Sequence, residues 1–465
     1  MALGRIYRPV VDPQSCRSCC VCLRGCPAEA LPDLRAEDST LRGAAYGSRA
    51  LPETRGVPGC QAACPLGQRV RDYVGELARG RWKDALFTIR SENPLPSICG
   101  YLCHHPCQSG CLREAVDAPI AIRELKLLAA RYELAHAAEV RDELLARRNA
   151  PNGRRVAVVG SGPAGLTAAY DLLLAGCAVT AIEAAGGLGG MLRLAIPGFR
   201  LPRAVLDHEL SMLAALGLDA RTGSRIATPA DLQGLRDEFD AVLLALGAAR
   251  GTPLPVPGWN GGGCRDALGF LREFNGGLAP SFDGTVLVVG GGNVALDAAR
   301  AALRCGAGEV RVVYRRDRAD MPADPQEVSD AEKEGVKFDF RLLPREVERR
   351  GGAVAALVCQ GTEPGAPDPA GRPLVALTGA ETRLPAGSIL AAVGQSAEHD
   401  FLPAGAVSRE GTLLVDSGGR VSGCPGLFGA GDGVTGPSYV VQAMASGRAA
   451  AKSILDYLEA TDVAA

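Results

Sequence analysis

The sequence has almost no excess charge of either sign and contains no long apolar run. Its 50 Lys and Arg residues nearly balance its 52 Asp and Glu residues, so the formal net charge is -2. This balance gives no general attraction to nucleic acid or anionic lipid. No segment approaches the roughly 18 apolar residues that a spanning helix needs, and residues 1–10 lack the basic flank and apolar core of a signal peptide. We therefore expect no nucleic-acid partner, no membrane span and a cytoplasmic location.

The length and composition predict a multi-domain globular protein. At about 150 residues per domain, 465 residues correspond to roughly three domains. Hydrophobic residues make up 47% of the chain and charged residues 22%, and there are 59 Gly and 31 Pro. These proportions fit an α/β protein with many tight turns and argue against disorder.

Eleven of the 16 cysteines lie within the first 111 residues, in tight local sets. Disulfides are the alternative in a secreted protein, but clustering without an export signal favours metal-bound thiolates. The first set has the spacing C-x2-C-x2-C-x3-C-P, which bacterial ferredoxins use for [4Fe-4S] clusters. A zinc site would favour two separated pairs, and Cys20 lies outside the spacing as a spare thiol. The ligands predicted from this run are Cys16, Cys19, Cys22 and Cys26.

A second set of cysteines follows as a pair and then a run of four, with three residues between neighbours in each group. Its members are Cys60, Cys64, Cys99, Cys103, Cys107 and Cys111. Apolar residues recur at helical intervals over 70–90, and 120–145 also has a helical pattern, so these thiols are predicted to lie in a small helical domain. Buried inert cysteines are the alternative, but they do not explain so regular a set.

With the nucleotide motifs described below, the chain from about residue 59 onwards resembles the small, beta-type subunit of bacterial glutamate synthase. That family shares the N-terminal domain of dihydropyrimidine dehydrogenase, and the cysteine-rich match covers 60–65, 98–111 and 116–126. The resemblance implies a helical domain with two [4Fe-4S] clusters that relays electrons from flavin to a partner.

The chain departs from the family's cysteine pattern in two places. The family has a further C-x2-C where this chain has Pro52 and Arg55, and a Glu or Gln ligand where it has Lys126, a poor ligand while protonated. Either the ferredoxin-like run contributes to the ligand sets, or Cys99 replaces the missing ligand. We predict two or three clusters, without an assignment of ligands to each.

Two dinucleotide fingerprints follow the cysteine-rich region. The first is a buried strand that runs into G-x-G-x-x-G and a helix, with an acid about 20 residues on to bind ribose hydroxyls. A glycine run after this acid and a late Ala-Gly-Asp-Gly both resemble the family's flavin signatures, so this fold is predicted to bind FAD rather than NAD. The predicted FAD-binding residues are Gly160, Gly162, Pro163, Ala164, Gly165, Glu183, Gly190, Met191, Gly431 and Asp432.

The second fingerprint predicts a nicotinamide nucleotide site. Its next strand ends in arginines instead of an acid, and arginines accommodate the 2'-phosphate of NADP. We therefore favour NADP over NAD, although arginines at a strand end are equally compatible with a solvated face. The predicted residues are Gly290, Gly292, Asn293, Val294, Arg315 and Arg316.

The order of these motifs predicts an α/β fold with two Rossmann-like domains, the second inserted in the first, preceded by a helical iron-sulfur domain. We expect a ferredoxin-like segment at 1–40 and a helical iron-sulfur domain at 41–148. The FAD domain would comprise 149–260 with 393–465, and the NAD(P)H domain 261–392.

The cofactors would carry the chemistry, hydride transfer between nucleotide and flavin and then single-electron transfer to clusters, so no catalytic side chain is predicted. A disulfide reductase would need a cysteine pair near the flavin, and 186–246 contains no cysteine. Dihydropyrimidine dehydrogenase would need a further substrate barrel, and we expect none because the chain ends directly after the final FAD helix.

We therefore expect an electron-transfer subunit that exchanges electrons between NAD(P)H, FAD and [4Fe-4S] clusters. Its partner would be a ferredoxin, a ferredoxin-dependent oxidoreductase or larger oxidoreductase subunits in a hetero-oligomer. The alternatives are the small subunit of an authentic glutamate synthase and a non-catalytic redox-sensing scaffold.

Overall fold

The computed structural model describes residues 57–115, 117–278, 280–282, 284–367, 373–403 and 405–464. The predicted ferredoxin-like segment, with Cys16, Cys19, Cys22 and Cys26, lies outside the described residues. Within the described ranges, no helix combines the length and the apolar character that crossing a bilayer requires.

Short helices dominate the part before residue 150, and longer ones flank the sheets that follow. The helices are α1 (Gly59–Ala62), α2 (Val70–Ala78), α3 (Trp82–Arg90), α4 (Pro96–Leu102), α5 (Pro106–Ser109), α6 (Ile122–Ala135), α7 (Ala137–Ala146), α8 (Pro163–Leu174), α9 (Met191–Leu194), α10 (Arg203–Ala215), α11 (Pro229–Glu238), α12 (Ala267–Asn275), α13 (Asn293–Arg304), α14 (Pro325–Lys333), α15 (Asp432–Thr435) and α16 (Val440–Ala464). Two 3-10 turns span Leu112–Ala115 and Arg318–Asp320.

The strands begin only after the helical segment α1–α7. They are β1 (Arg155–Val159), β2 (Ala178–Glu183), β3 (Asp219–Thr222), β4 (Ala241–Leu244), β5 (Arg250–Gly251), β6 (Cys264–Asp266), β7 (Thr285–Val289), β8 (Glu309–Tyr314), β9 (Lys337–Phe340), β10 (Leu342–Arg350), β11 (Ala353–Pro367), β12 (Pro373–Pro385), β13 (Ser388–Ala391), β14 (Gln395–Ser396) and β15 (Leu427–Gly429).

The helical pattern predicted over 70–90 is two helices rather than one. Gly80 has φ +70°, a left-handed conformation that suits glycine, and it lies between the end of α2 and the start of α3. The turn folds the two helices against each other, so that Tyr73 on α2 and Ile89 on α3 are both fully buried.

After the helical segment the described chain forms two parallel sheets, which we call the first and second sheets, and a three-stranded antiparallel sheet of β10, β11 and β12. Among the described residues the first has the order β15-β4-β1-β2-β3 and the second the order β6-β13-β7-β8-β9. The first sheet starts at β1 and is completed by β15, after the whole second sheet has been formed. The chain passes from the first sheet to the second and later returns, and the short strands at these two passages, β5 and β14, pair in antiparallel orientation. The predicted α/β class with two Rossmann-like folds is confirmed. We call the fold built on the first sheet the first fold and the fold built on the second sheet the second fold.

The helical segment and the first sheet share one apolar core. Ile98 of α4 and Leu86 of α3 belong to the same buried cluster as Val158 of β1 and Met444 of α16. Burial of apolar surface stabilises such an interface by about 25 cal/mol per Å². The helical segment is therefore packed onto the first fold and is not an appended module.

A buried ion-pair network crosses this interface at Arg90. Its Nε lies 2.9 Å from Oε2 of Glu133 on α6, and its Nη2 lies 2.9 Å from Oε2 of Glu209 on α10. The other oxygen of Glu209 accepts a hydrogen bond of 2.8 Å from the Ser97 amide in the first turn of α4. Arg90, Glu133 and Glu209 are at most 2% exposed. One guanidinium thus fixes three helices and, through Glu209, the start of a fourth.

Replacing Arg90 with Met should destabilise the protein by about 3–5 kcal/mol, because it leaves two carboxylates buried without their cation. Arg383→Met is the matched control, since Arg383 forms its ion pair with Glu348 on the surface of the antiparallel sheet and exposed pairs contribute only about 0–1 kcal/mol. Anaerobic thermal unfolding measures both. Equal losses in the two variants would contradict this role of Arg90.

Candidate functional site

A cavity of about 680 Å³ lies between the two sheets and is lined by residues of both folds. The first fold contributes its glycine loop, Glu183 and Asp432, and the second contributes Asn293, Val294 and Asp297. Leu102 at the end of α4 also lines it, so the helical segment reaches the same space. All three parts of the chain meet at this cavity.

The glycine loop of the first fold is built for close approach of a phosphate. A Cβ on Gly160 would lie 2.3 Å from the Ala245 carbonyl oxygen, whereas Gly162 faces open space. Gly162 is the N-cap of α8, and no side chain caps this helix. Pro163 begins the helix and has no N–H, so the free amides of Ala164 and Gly165 in the first turn present a positive end to the cavity. This arrangement fits the pyrophosphate of a dinucleotide.

Glu183 ends β2 and is buried at the cavity wall. Its Oε2 accepts hydrogen bonds from the amide and hydroxyl of Ser161, at 3.0 and 2.5 Å, and its Oε1 accepts one from the Ala185 amide at 2.8 Å. The carboxylate therefore orders the glycine loop from behind. The predicted contact with a ribose stays a prediction.

The late signature of the first fold closes over α8. Gly431 has φ +72°, and a Cβ there would lie 2.8 Å from that of Ala164. Burial raises the pKa of Asp432, whose Oδ1 accepts a 2.7 Å hydrogen bond from Ser438. Gly190 would bring a Cβ to 2.8 Å from the Gly162 Cα, and Met191 lines the cavity. All of the residues predicted to bind FAD except Gly165 thus line the cavity.

The second fold repeats the glycine loop and uncapped helix of the first, but the side chain of the first helical residue, Asn293, binds within the protein. Gly290 has φ +145°, where a Cβ would lie 2.4 Å from the Ala392 carbonyl oxygen, and Gly292 is the N-cap of α13 without a side-chain cap. The Asn293 Oδ1 accepts a 3.0 Å hydrogen bond from the Asp324 amide, so this side chain holds the start of α14. Val294 lines the cavity.

The arginines after β8 divide into free and paired groups. Asp317 binds Arg341, and Arg318 binds Glu332. In the described part of the chain, Arg315 and Arg316 make no side-chain ion pair, and Nε of Arg316 is buried without a hydrogen-bond partner. A guanidinium at the end of β8 that has no ion pair within the described chain fits an anionic group of a bound ligand.

The six cysteines of the helical segment are all buried, and no described cysteine forms a disulfide. Gly59 and Gly110 pack so tightly that a Cβ on Gly59 would lie 2.5 Å from the Gly110 carbonyl oxygen. This contact brings α1, with Cys60, against α5 and the following Cys111. Sγ of Cys111 accepts a 3.5 Å hydrogen bond from the Ile120 amide, as thiolates bound to metal often do.

Lys126 on α6 is 3% exposed and lies among thiols rather than carboxylates. Burial lowers its pKa, but the charges of Cys99, Cys103, Cys64 and Cys107 raise it more. A buried ammonium requires negative charge close by. A cluster held by thiolates would supply that charge.

Burial opposes ionisation of two of these thiols. Burial raises the pKa of Cys99 and of Cys107 to about 12, with Lys126 lowering each in part. Metal binding must therefore displace protons from them. Among the described residues no three donor side chains converge on one point as ligands of a single ion do, at about 2.3 Å for zinc and sulfur.

The two folds are clamped together by a loop that the motifs did not predict. Nη1 of Arg200 in the first fold is 3.0 Å from Oδ2 of Asp297 on α13, and its Nη2 is 2.9 Å from Oε1 of Glu327 on α14. The Asn275 amide donates to the Leu194 and Ile196 carbonyl oxygens, at 3.0 and 3.2 Å. Arg200 is the one charged residue in the apolar stretch 194–201, a signal that could have identified it.

We predict that Arg200→Met slows flavin reduction by NADPH at least tenfold at saturating nucleotide, because the second fold loses its fixed position over the cavity. The matched control is Arg311→Met, which breaks an ion pair with Asp339 within the second fold. Stopped-flow bleaching of the flavin measures the rate, and dithionite reduction should stay unchanged. An equal loss in both variants would contradict the clamp.

Sequence comparison divides the chain at the same places. Residues 154–447 match the pyridine nucleotide-disulphide oxidoreductase family. Residues 53–138 match a domain described as dihydropyrimidine dehydrogenase domain II, 4Fe-4S cluster. The first match covers both parallel sheets, and the second covers the six cysteines of the helical segment.

Curated relatives match over most of the chain. The beta subunit of an NADP(+)-dependent formate dehydrogenase from Moorella thermoacetica is 38% identical over 421 residues, covering 86% of this chain and 60% of that protein. The small chain of an NADPH glutamate synthase from Azospirillum brasilense is 32% identical over 436 residues, covering 87% of each chain. The chain thus spans about 60% of the length of the first relative.

A solved structure supports the fold alone. FprA from Mycobacterium tuberculosis in complex with NADPH superposes with a TM-score of 0.59 and 20% identity, covering 67% of this chain and 86% of that chain. The overlap indicates the same pairing of two dinucleotide folds.

Proposed function

Because the chain belongs to the pyridine nucleotide-disulphide oxidoreductase family and carries a 4Fe-4S domain, we propose that it moves electrons between NADPH, FAD and [4Fe-4S] clusters. The observation that carries this proposal is the single cavity at which all three parts of the chain meet. The bound cofactors would supply hydride transfer and one-electron transfer. The chain would bind them, orient them and exclude water.

Contacts between the cavity residues and the cysteines support direct electron transfer from a flavin in the cavity to a cluster at the cysteines. Leu102 lines the cavity and is followed at once by Cys103. The His104 ring stacks on Tyr439, another cavity residue, with 3.8 Å between ring centroids. Sγ of Cys99 lies 3.4 Å from Sδ of Met444 on α16. These residues would keep the distance from flavin to cluster short and free of water.

The cysteines would form two ligand sets. Cys64, Cys103 and Cys107 each lie near both Lys126 and Tyr73, since their charges raise the pKa of both groups. We assign these three to one cluster, with Cys60 or Cys99 as candidates for a fourth ligand. Cys60 and Cys111 lie beside the tight contact of α1 and α5 and could serve a second cluster. The run Cys16, Cys19, Cys22 and Cys26 would complete that cluster or hold a third.

The remaining assignments follow from this division. The FAD domain would comprise 149–260 with 393–465, and the NADPH domain 261–392. FAD would be bound by the first glycine loop, Glu183 and the late signature, and NADPH by the second loop with Arg315 and Arg316. A cytoplasmic location suits reduced thiolates. The partner would be a larger redox subunit or a ferredoxin in a hetero-oligomer, since the formate dehydrogenase relative is a subunit by name.

The nucleotide preference tests the assignment of the second fold. NADPH should bleach the flavin faster than NADH, and Arg316→Ala should raise the KM for NADPH at least tenfold while leaving that for NADH within twofold. The 2'-phosphate would lose its guanidinium, and only NADPH carries one. Arg318→Ala is the control, because Arg318 is already paired with Glu332. Faster bleaching by NADH in the wild type would overturn the NADP preference.

Iron analysis tests the cluster assignment. Serine at Cys64, Cys103 or Cys107 should each lower the iron content of the anaerobically purified protein by about four atoms, the content of one cluster. Cys177→Ser is the control, because Cys177 is equally buried but lies in the core of the first fold. Equal iron in all four variants would exclude these three thiols as ligands. Failure of both nucleotides to bleach the flavin would refute the function itself.

A further inference from the structure

Tyr73 carries a hydroxyl that the chain itself leaves without a partner. The side chain lies on α2 and is 0% exposed. Its oxygen makes no hydrogen bond with any described residue. A hydroxyl in this state loses its bonds to water and gains none in return, which is unfavourable. The phenyl ring alone would fill the same space, so packing does not account for the oxygen.

The surroundings of this hydroxyl are thiols. Tyr73 packs in a buried cluster with Cys60 and Cys107, whose other members are apolar. After burial, the charges of Cys107, Cys64, Cys60 and Cys103 are the influences that raise its pKa. Three of the four are the thiols assigned above to one cluster.

We propose that the Tyr73 hydroxyl donates a hydrogen bond to a sulfur of the cluster held by Cys64, Cys103 and Cys107, and thereby raises its reduction potential. This inference rests on the proposed function, because the acceptor belongs to the bound cluster. Hydrogen bonds to cluster sulfurs are among the factors that set such potentials. A donor stabilises the additional negative charge of the reduced state. Tyr73 is thus a positioning and tuning residue that does not ligate iron.

Lys126 gives the same cluster a second polar neighbour on another helix. It lies on α6, whereas Tyr73 lies on α2, and both are near Cys64, Cys103 and Cys107. The bound cluster would therefore have a hydrogen-bond donor on one helix and a positive charge on another. Both groups favour the reduced state.

The test is the variant Tyr73→Phe, which removes only the oxygen. The midpoint potential of each cluster is measured by an EPR-monitored redox titration of the anaerobic holoprotein. We expect an unchanged iron content and a tenfold lower ratio of reduced to oxidised cluster at a fixed potential, which is a shift of about 59 mV for one electron. Tyr457→Phe, a half-buried tyrosine on α16 in the first fold, should leave the potential unchanged.

A vibrational measurement separates the hydrogen bond from a change in packing. Resonance Raman spectra of wild-type protein in H₂O and D₂O should show a shift of the Fe–S modes that is smaller in Tyr73→Phe. An unchanged potential with full iron content would overturn the inference, as would loss of iron from a variant that still folds. Absence of iron from wild-type protein would instead refute the proposed cluster.

Discussion

The arrangement depends on a buried guanidinium, Arg90, held between two carboxylates. It belongs to the helical segment, as does Glu133, but Glu209 lies on α10 of the first fold. Taking these charges out of water is costly, so the network is favourable only while every partner is in place. His208 adds a fourth group to the network, and its hydrogen bond with Glu133 raises the pKa of His208. The cysteine-bearing helices are thereby kept in one position against the flavin fold.

The second junction uses the same chemistry. Arg200 of the first fold lies between Asp297 and Glu327 of the second fold, as Arg90 lies between Glu133 and Glu209. Burial raises the pKa of Asp297 to about 6, although Arg200 lowers it. Arginine suits both positions because its planar fork binds two acids at once and stays charged when buried. Each of these two interfaces is thus closed by one arginine and two acids.

The parts of this structure that follow from short-range rules were predictable from the sequence. The glycines at 160 and 290 mark their loops because only glycine fits where the next strand passes, and the strand and helix patterns around them are regular. The insertion followed from the order of motifs, and β15 pairs with β4 accordingly. The regular intervals between cysteines likewise identified the helical segment and its metal ligands as candidates.

Long-range contacts were not predictable. Arg90, Glu133 and Glu209 are far apart in sequence and have no characteristic spacing, so nothing marked them as one network. The bond from the Asp324 amide to the Asn293 side chain, 31 residues away, likewise has no sequence signal. Tyr73 appeared only as an apolar position of a helix, and its unpaired oxygen is evident only from the packed structure. The clamp at Arg200 depends on how the two folds meet.

The most direct test of the central claim follows electrons within the chain. Wild-type protein is mixed anaerobically with NADPH, without any partner, and frozen at intervals for EPR while flavin absorbance is recorded. The account predicts that the flavin bleaches and that the signal of a reduced [4Fe-4S] cluster then grows. A flavin that NADPH reduces while clusters reducible by dithionite remain oxidised would contradict it.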